Sequence, residues 1–164
     1  MKNAINPKRA SLIGALLSFS MIAAAIFIQL KFSLEPCPLC ITQRILFIVI
    51  AILFTVFYFL PYNQLVRYLQ AITIIFSGLT GVVFSFRHIL IQAKIIEVPA
   101  ECGIDLNYMF DNFPLSEAIN LLFRGAGDCS QIDWTFMGLT LPQMALFGYL
   151  FFITFTIYVF LKAK

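Results

Sequence analysis

The stretch that decides the fold is SLIGALLSFSMIAAAIFIQL, residues 11–30, followed six residues later by CPLCITQRILFIVIAILFTVFYFL, residues 37–60. Each contains a run of close to the roughly 20 apolar residues that an α-helix needs to cross a bilayer. Two further runs of this kind occur later in the chain. The sequence therefore predicts an all-α membrane protein, a bundle of four transmembrane helices with spans at about 11–30, 41–60, 69–86 and 141–161.

The composition supports a membrane protein and argues against other classes. Of the 164 residues, 61% are hydrophobic and 12% are charged, whereas soluble domains carry roughly 25% charged residues. The first apolar run exceeds the roughly 7 to 15 residues of a signal peptide, so we expect it to be retained as a span. No repeat or linker divides the chain, which we interpret as one membrane domain over 1–164. The net charge of +3 gives little reason to expect a nucleic-acid partner.

The distribution of charge predicts the orientation of the bundle. The termini and the second connection carry basic residues with no acidic residue among them, namely Lys2, Lys8, Arg9, Arg67, Lys162 and Lys164. We therefore expect both termini to be cytoplasmic. All eight acidic residues and all four cysteines fall in the outer connections, at about 31–40 and 87–140, where the compartment allows disulfides to persist.

The third connection is long, and long connections are commonly functional. Within it Leu115, Ala118, Ile119 and Leu122 recur at helical spacing after Pro114. We expect a short amphipathic helix here, either on the membrane surface or packed against the bundle itself.

The motif Cys37-Pro38-Leu39-Cys40 lies where the second span begins. Proline is accepted in the first turn of a helix, so Cys37 can cap the helix and Cys40 can lie in its first turn. The positive helix end and a nearby Arg44 would favour the reactive thiolate over the thiol. Cys37, Cys40 and Arg44 share one helix face at i, i+3 and i+7. An arginine so early in a span needs either a polar partner or a path to the interface.

Two alternatives to redox chemistry apply to the cysteines. A structural crosslink would be worth roughly 2 kcal/mol for the ring Cys37–Cys40 and roughly 3.5 for Cys102–Cys129, so only the second would serve well as a staple. Zinc is disfavoured because Cys102 and Cys129 do not form a second close pair and the compartment is oxidising. We therefore expect no metal. The pairing of the four cysteines is open, since four cysteines allow three connectivities.

Three parts of the sequence extend the motif: the run from Cys37 to Arg44, then Cys102, and then Gly127-Asp128-Cys129 leading to Trp134 and Gln143. Together they resemble the disulfide bond formation protein B (DsbB) family. The likeness covers nearly the whole chain, including the order of the spans. Gln43 and Pro38 depart from the best-known member, which has an acidic and an aliphatic residue there, so Arg44 lacks an adjacent carboxylate.

The resemblance implies a membrane thiol:disulfide oxidoreductase of the bacterial inner membrane with its cysteines on the periplasmic side. It would reoxidise a periplasmic thioredoxin-like dithiol oxidant of the DsbA type. Electrons would enter at Cys102 and Cys129, pass from Cys129 to Cys37, and leave from Cys40 to a membrane quinone, either ubiquinone or menaquinone. By the same resemblance Arg44 faces the quinone and His88 lies near it. An interfacial histidine without function is the alternative for His88.

Two other classes compete with this interpretation. A non-enzymatic four-span scaffold with a disulfide-stabilised outer loop would leave Arg44 and the short Cys37–Cys40 ring unexplained. Vitamin K epoxide reductase also couples quinones to thiols within four membrane helices, but its Cys-x-x-Cys pair lies near the last helices rather than after the first.

Overall fold

The structure, a computed structural model, describes residues 6–34, 36–96, 127–132 and 134–162. Four helices confirm the predicted bundle: α1 (Pro7–Phe32), α2 (Pro38–Phe59), α3 (Gln64–Gln92) and α4 (Leu141–Lys162). All four are long and apolar enough to cross a membrane. Cys102 and the surface helix predicted near Leu115 to Leu122 lie outside the described residues.

The helices extend beyond the predicted spans because capping groups, rather than the apolar runs, set their ends. Asn6 caps α1 by accepting a hydrogen bond from the Lys8 backbone N–H at 3.1 Å, and Asn63 caps α3 by accepting from Val66 at 2.8 Å. At its other end α3 continues to Gln92, six residues past the predicted boundary at 86. His88 is therefore a helical residue rather than part of the outer connection.

The core lies where α2, α3 and α4 meet. Phe47, Phe54 and Phe152 are buried there around Tyr149, and the Tyr149 ring stacks on Phe47 with ring centroids 4.2 Å apart. The buried Tyr149 hydroxyl donates to the backbone carbonyl of Gln43 at 2.6 Å. This bond satisfies a polar group that the lipid could not.

Small residues recur every fourth residue in the sequence of α3, at Ser77, Gly81 and Ser85, and α1 has the shorter pair Gly14 and Ser18. This spacing predicts smooth patches where helices approach closely. A Cβ atom at Gly81 would lie 2.4 Å from the Tyr149 ring, and one at Gly14 would lie 2.7 Å from the Phe54 ring. Ser77 and Ser85 are buried in the same face of α3. These positions therefore serve helix packing.

Two short elements complete the outer end of the bundle. A 3₁₀ helix, Gly127–Ser130, packs on α3. It is followed by an antiparallel hairpin of β1 (Thr135–Phe136) and β2 (Leu139–Thr140), which runs directly into α4. Met137 and Gly138 both have positive φ, 51° and 83°, as tight hairpin turns favour. The 3₁₀ helix carries Cys129, which is buried against Leu39 in the first turn of α2.

We expect Gly81→Ala to destabilise the bundle by about 1 to 3 kcal/mol, the usual cost of overpacking. The Tyr149 ring that would meet the new methyl group is stacked and hydrogen-bonded, so it has no room to move. Gly148→Ala is the matched control. Its Cβ would lie 2.4 Å from the terminal methyl of Met21, a flexible side chain that can rotate away, and 3.1 Å from the edge of the Phe47 ring, so we expect a smaller loss of stability.

The measurement is the thermal unfolding of both variants in the same detergent. Equal losses of stability in Gly81→Ala and Gly148→Ala would contradict the role assigned to Tyr149.

Candidate redox site

The predicted start of α2 is confirmed. Cys37 is the N-cap residue, Pro38 occupies the first helical position, and Cys40 lies in the first turn. Leu39 between the cysteines is fully buried and packs against Ile91 of α3. This contact fixes the motif on the bundle and leaves both cysteines half-buried at its outer end.

Cys129 meets this motif from the 3₁₀ helix. It is buried against Leu39 and Ile91, and Cys37 packs beside it. The sulfur atoms of Cys37 and Cys129 and a ring nitrogen of His88 all lie within 4.8 Å of one another. The structure thus brings together one cysteine from each half of the chain, while Cys40 is not a member of this group.

His88 is 1% exposed and links α3 to α2. Its Nε2 lies 3.7 Å from the Cys37 sulfur, and its Nδ1 lies 3.5 Å from the side-chain amide of Gln43. The backbone carbonyl of Gln43 is the group that accepts from Tyr149. Polar contacts thus run from Tyr149 to the backbone of Gln43, from the Gln43 side chain to His88, and from His88 to the Cys37 sulfur.

The protonation of Cys37 departs from the expectation for a helix N-terminus. The hydrogen bond from Cys129 would lower the pKa of Cys37, but the Cys40 thiol and burial oppose it and raise this pKa above its ordinary value. The expectation that both sulfurs favour the thiolate is therefore wrong for Cys37, because burial and a second thiol outweigh the helix dipole.

Arg44 has a polar partner that the sequence analysis missed. Its Nη1 donates a hydrogen bond to Oε1 of Gln29 in α1. Gln29 is a single amide side chain near the end of the first apolar run. Its position there was the feature of the sequence that could have indicated a partner for Arg44. The bond satisfies a cation near the membrane without a carboxylate, and it connects α1 to the face of α2 that carries Cys40.

Two neighbouring cavities share Cys40 and Arg44 in their walls. The larger, about 190 Å³, lies between α1, α2 and α4 and is lined mainly by apolar side chains, together with Gln43. The smaller, about 40 Å³, lies at the outer end and is more polar, with Gln29, Cys37 and His88 in its lining. His88 is in the wall of the small cavity and is not among the residues that line the large one.

The chain is similar in sequence to a known family and to several of its members. The sequence profile of the family described as "Disulfide bond formation protein DsbB" matches residues 7–159. The "Disulfide bond formation protein B" of Methylobacillus flagellatus is 41% identical, covering 87% of this chain and 86% of the relative. The protein of the same name from Methylococcus capsulatus is 39% identical, with 85% of each chain covered. That from Nitrosococcus oceani is 36% identical over 85% of this chain and 82% of its own.

We expect Cys37 and Cys129 to crosslink readily under mild oxidation when they are the only cysteines, in the double variant Cys40→Ser, Cys102→Ser. Their sulfurs are already within 4.8 Å, so only a small movement brings them to the roughly 2 Å of a disulfide. The matched control, Cys37→Ser with Cys102→Ser, leaves Cys40 to react with Cys129. We expect the first pair to react at least about tenfold faster, because its sulfurs are held in place.

The disulfide is measured by mass spectrometry of the quenched reaction. Faster crosslinking of Cys40 than of Cys37 would contradict the placement of Cys129.

Proposed function

The chain belongs to the DsbB family of disulfide bond formation proteins, and from this membership we propose the reaction that it carries out. It reoxidises a periplasmic thioredoxin-like dithiol oxidant of the DsbA type and passes the electrons to a membrane quinone. The proposed location is the bacterial inner membrane, with both termini cytoplasmic and the cysteines on the periplasmic side. The absence of acidic residues among the basic residues at the termini and the second connection supports this orientation.

The observation that carries the proposal is the large cavity beside Cys40. Its apolar walls, formed by residues such as Met21, Ile28 and Met144, suit an apolar ring, and its volume is about 190 Å³. The polar groups at its outer end are Cys40, Gln43 and Arg44. These residues fit a quinone, whose carbonyl oxygens need hydrogen-bond donors and whose ring needs an apolar surface.

The cysteines provide a route for two electrons. In the first exchange the two thiols of the protein partner become a disulfide, and the Cys102–Cys129 disulfide is reduced to two thiols. In the second, Cys129 attacks the Cys37–Cys40 disulfide at Cys37, the Cys102–Cys129 disulfide is restored, and Cys37 and Cys40 become thiols. The proximity of Cys37 to Cys129 supports the order of these exchanges.

The last step restores the Cys37–Cys40 disulfide and releases two electrons and two protons. A bound quinone would supply the two-electron acceptor. Cys40 is the cysteine of this pair that lines the large cavity, which supports its role as the exit sulfur. His88 is proposed to exchange a proton with the Cys37 thiol, and the distance of 3.7 Å from its Nε2 to the Cys37 sulfur supports this role.

Arg44 is proposed to stabilise negative charge at the exit. It lines both cavities, and Gln29 fixes the direction of its guanidinium group. A fixed cation with planar donors can hydrogen-bond a carbonyl oxygen on which charge develops, and it can also stabilise a nearby thiolate.

The test of this function is anaerobic mixing of the purified protein with a reduced thioredoxin-like dithiol protein and a soluble quinone, following quinone absorbance. We expect quinone reduction that stops in Cys37→Ser and Cys40→Ser. In Cys102→Ser and Cys129→Ser we expect the loss to lie in electron entry from the protein partner, so a small dithiol that reaches Cys37 directly should still drive quinone reduction.

Normal oxidation of the protein partner by Cys102→Ser would refute the ordered relay. Two results together would favour the scaffold alternative. The wild type would fail to reduce quinone, and the double variant Cys102→Ala, Cys129→Ala would lose the folded bundle.

For Arg44→Met we expect weaker quinone binding and slower turnover together, because one group acts in both. Losing a hydrogen bond from a charged group costs about 1.5 to 3 kcal/mol, roughly 10- to 150-fold in kcat/KM. Arg44→Lys should recover part of the loss, since an ammonium keeps the charge but lacks the planar fork. Arg67→Met is the control. Arg67 lies near the start of α3, at the end of the bundle away from His88 and the cysteines.

The measurement is the apparent KM for quinone and the turnover number at equal concentrations of folded protein. If Arg44→Met changes neither, the arginine only reaches toward the interface, and other residues must bind the quinone.

A further inference from the structure

The three side chains that converge on Cys37 form a set of metal ligands. We propose that Cys37, His88 and Cys129 together bind one thiophilic divalent cation, Zn²⁺ in the cell, whenever both cysteines are thiols, and that the bound ion halts the relay. This inference goes beyond the proposed function. Binding of the ion depends only on the geometry, whereas its effect on turnover rests on the proposed function.

The distances suit a metal centre. Zinc binds thiolate sulfur at about 2.3 Å and imidazole nitrogen at about 2.0 to 2.1 Å in tetrahedral geometry, which places neighbouring ligand atoms roughly 3.5 Å apart. His88 Nε2 and the Cys37 sulfur are 3.7 Å apart, and all three ligand atoms lie within 4.8 Å of one another. Small rotations of the two cysteine side chains would close the site.

The surroundings of His88 prepare its Nε2 as a ligand. A metal-binding histidine is usually held by a hydrogen bond at its other nitrogen, and the Gln43 amide occupies that position, 3.5 Å from Nδ1. The nitrogen of this amide is the atom that lies 3.5 Å from Nδ1. With the amide turned through 180°, its oxygen accepts from Nδ1–H, and the lone pair of Nε2 then faces the sulfurs. Gln43 is itself fixed by the bond from Tyr149.

The charge balance suits a buried site. His88 and Cys129 are each 1% exposed, and an isolated charge in such a place would be costly. One Zn²⁺ with two thiolates and a neutral imidazole carries no net charge. Arg44 in the wall of the adjoining small cavity would therefore not repel the complex. That cavity, lined in part by Cys37 and His88, has room for a water as the fourth ligand.

Binding forms two metal–sulfur bonds and one metal–nitrogen bond, and it releases the two thiol protons without transfer of electrons. The same sulfurs are those that exchange between Cys129 and Cys37 in the relay. Both sulfurs are thiols together only when a second partner dithiol has reduced the Cys102–Cys129 disulfide before Cys37 and Cys40 have been reoxidised. A metal ion on the Cys37 sulfur in that state prevents the Cys37–Cys40 disulfide from re-forming, so the electrons cannot leave. This set also differs from a Cys-x-x-Cys zinc site, because it takes one cysteine from each pair and omits Cys40.

The experiment uses the full chain in detergent micelles, reduced with a phosphine and desalted anaerobically. Cd²⁺ is the probe, because its thiolate charge-transfer absorption in the ultraviolet reports metal–sulfur bonds directly, and Zn²⁺ is then added as a competitor. We expect one Cd²⁺ per chain, displaced by Zn²⁺, and no such band in protein whose disulfides are intact.

The variants identify the ligands. We expect the affinity for Cd²⁺ to fall at least about tenfold in Cys37→Ser, Cys129→Ser and His88→Ala, and by a similar factor in Gln43→Leu, which removes the support of the imidazole. Cys40→Ser is the matched control, and it should bind Cd²⁺ within about threefold of the wild type. Circular dichroism verifies that each variant is folded, and His88→Asn replaces His88→Ala if the latter does not fold.

Equal losses in Cys40→Ser and Cys129→Ser would assign the ion to the Cys-x-x-Cys pair and overturn the proposal. Unchanged affinity in either His88 variant, or no charge-transfer band in the reduced wild type, would also overturn it. In a separate arm, Zn²⁺ should inhibit quinone reduction driven by the protein dithiol, and a chelator should reverse the inhibition. Cd²⁺ binding with the expected ligands in a protein that fails to reduce quinone would refute the proposed function alone.

Discussion

The contact on which the rest of the structure depends is the one that Tyr149 makes with the other helices. Its ring lies on Gly81 of α3 and stacks on Phe47 of α2, and its hydroxyl donates to the Gln43 carbonyl. One side chain of α4 thereby fixes the spacing of α2 and α3. The bilayer offers no other hydrogen-bond partner for the buried Tyr149 hydroxyl. The helices are therefore favoured in the arrangement that brings this hydroxyl to the Gln43 carbonyl.

The geometry of the redox site follows from that contact. Gln43 is held by its backbone, so its amide can meet His88, and His88 can meet the Cys37 sulfur. On the other side of α2, the bond between Arg44 and Gln29 fixes α1. The start of α2 is therefore supported by three helices, and its two cysteines are presented to two different environments.

Those environments support the division of roles in the proposed relay. Cys37 lies beside Cys129 and His88 at the outer end of the bundle, whereas Cys40 also lines an apolar cavity between the helices. A protein partner in the outer compartment and an apolar molecule in the bilayer thus need not share a surface. The convergence of Cys37, His88 and Cys129 is also the basis of the proposed metal binding, since two sulfurs and an imidazole nitrogen are ligands that zinc accepts.

The sequence by itself determined the four spans, the helix start at Pro38, the small residues at the packing faces and the cysteine motif with Arg44, because these depend on local hydropathy, helix periodicity and the chemistry of proline. Family resemblance extended this to the expected exchange between Cys129 and Cys37. Only the tertiary structure decided that Gln29 binds Arg44, that Gln43 faces His88, and that the pKa of Cys37 is raised. Each of these depends on how residues distant in the chain are brought together and removed from water, and neither spacing nor composition specifies that.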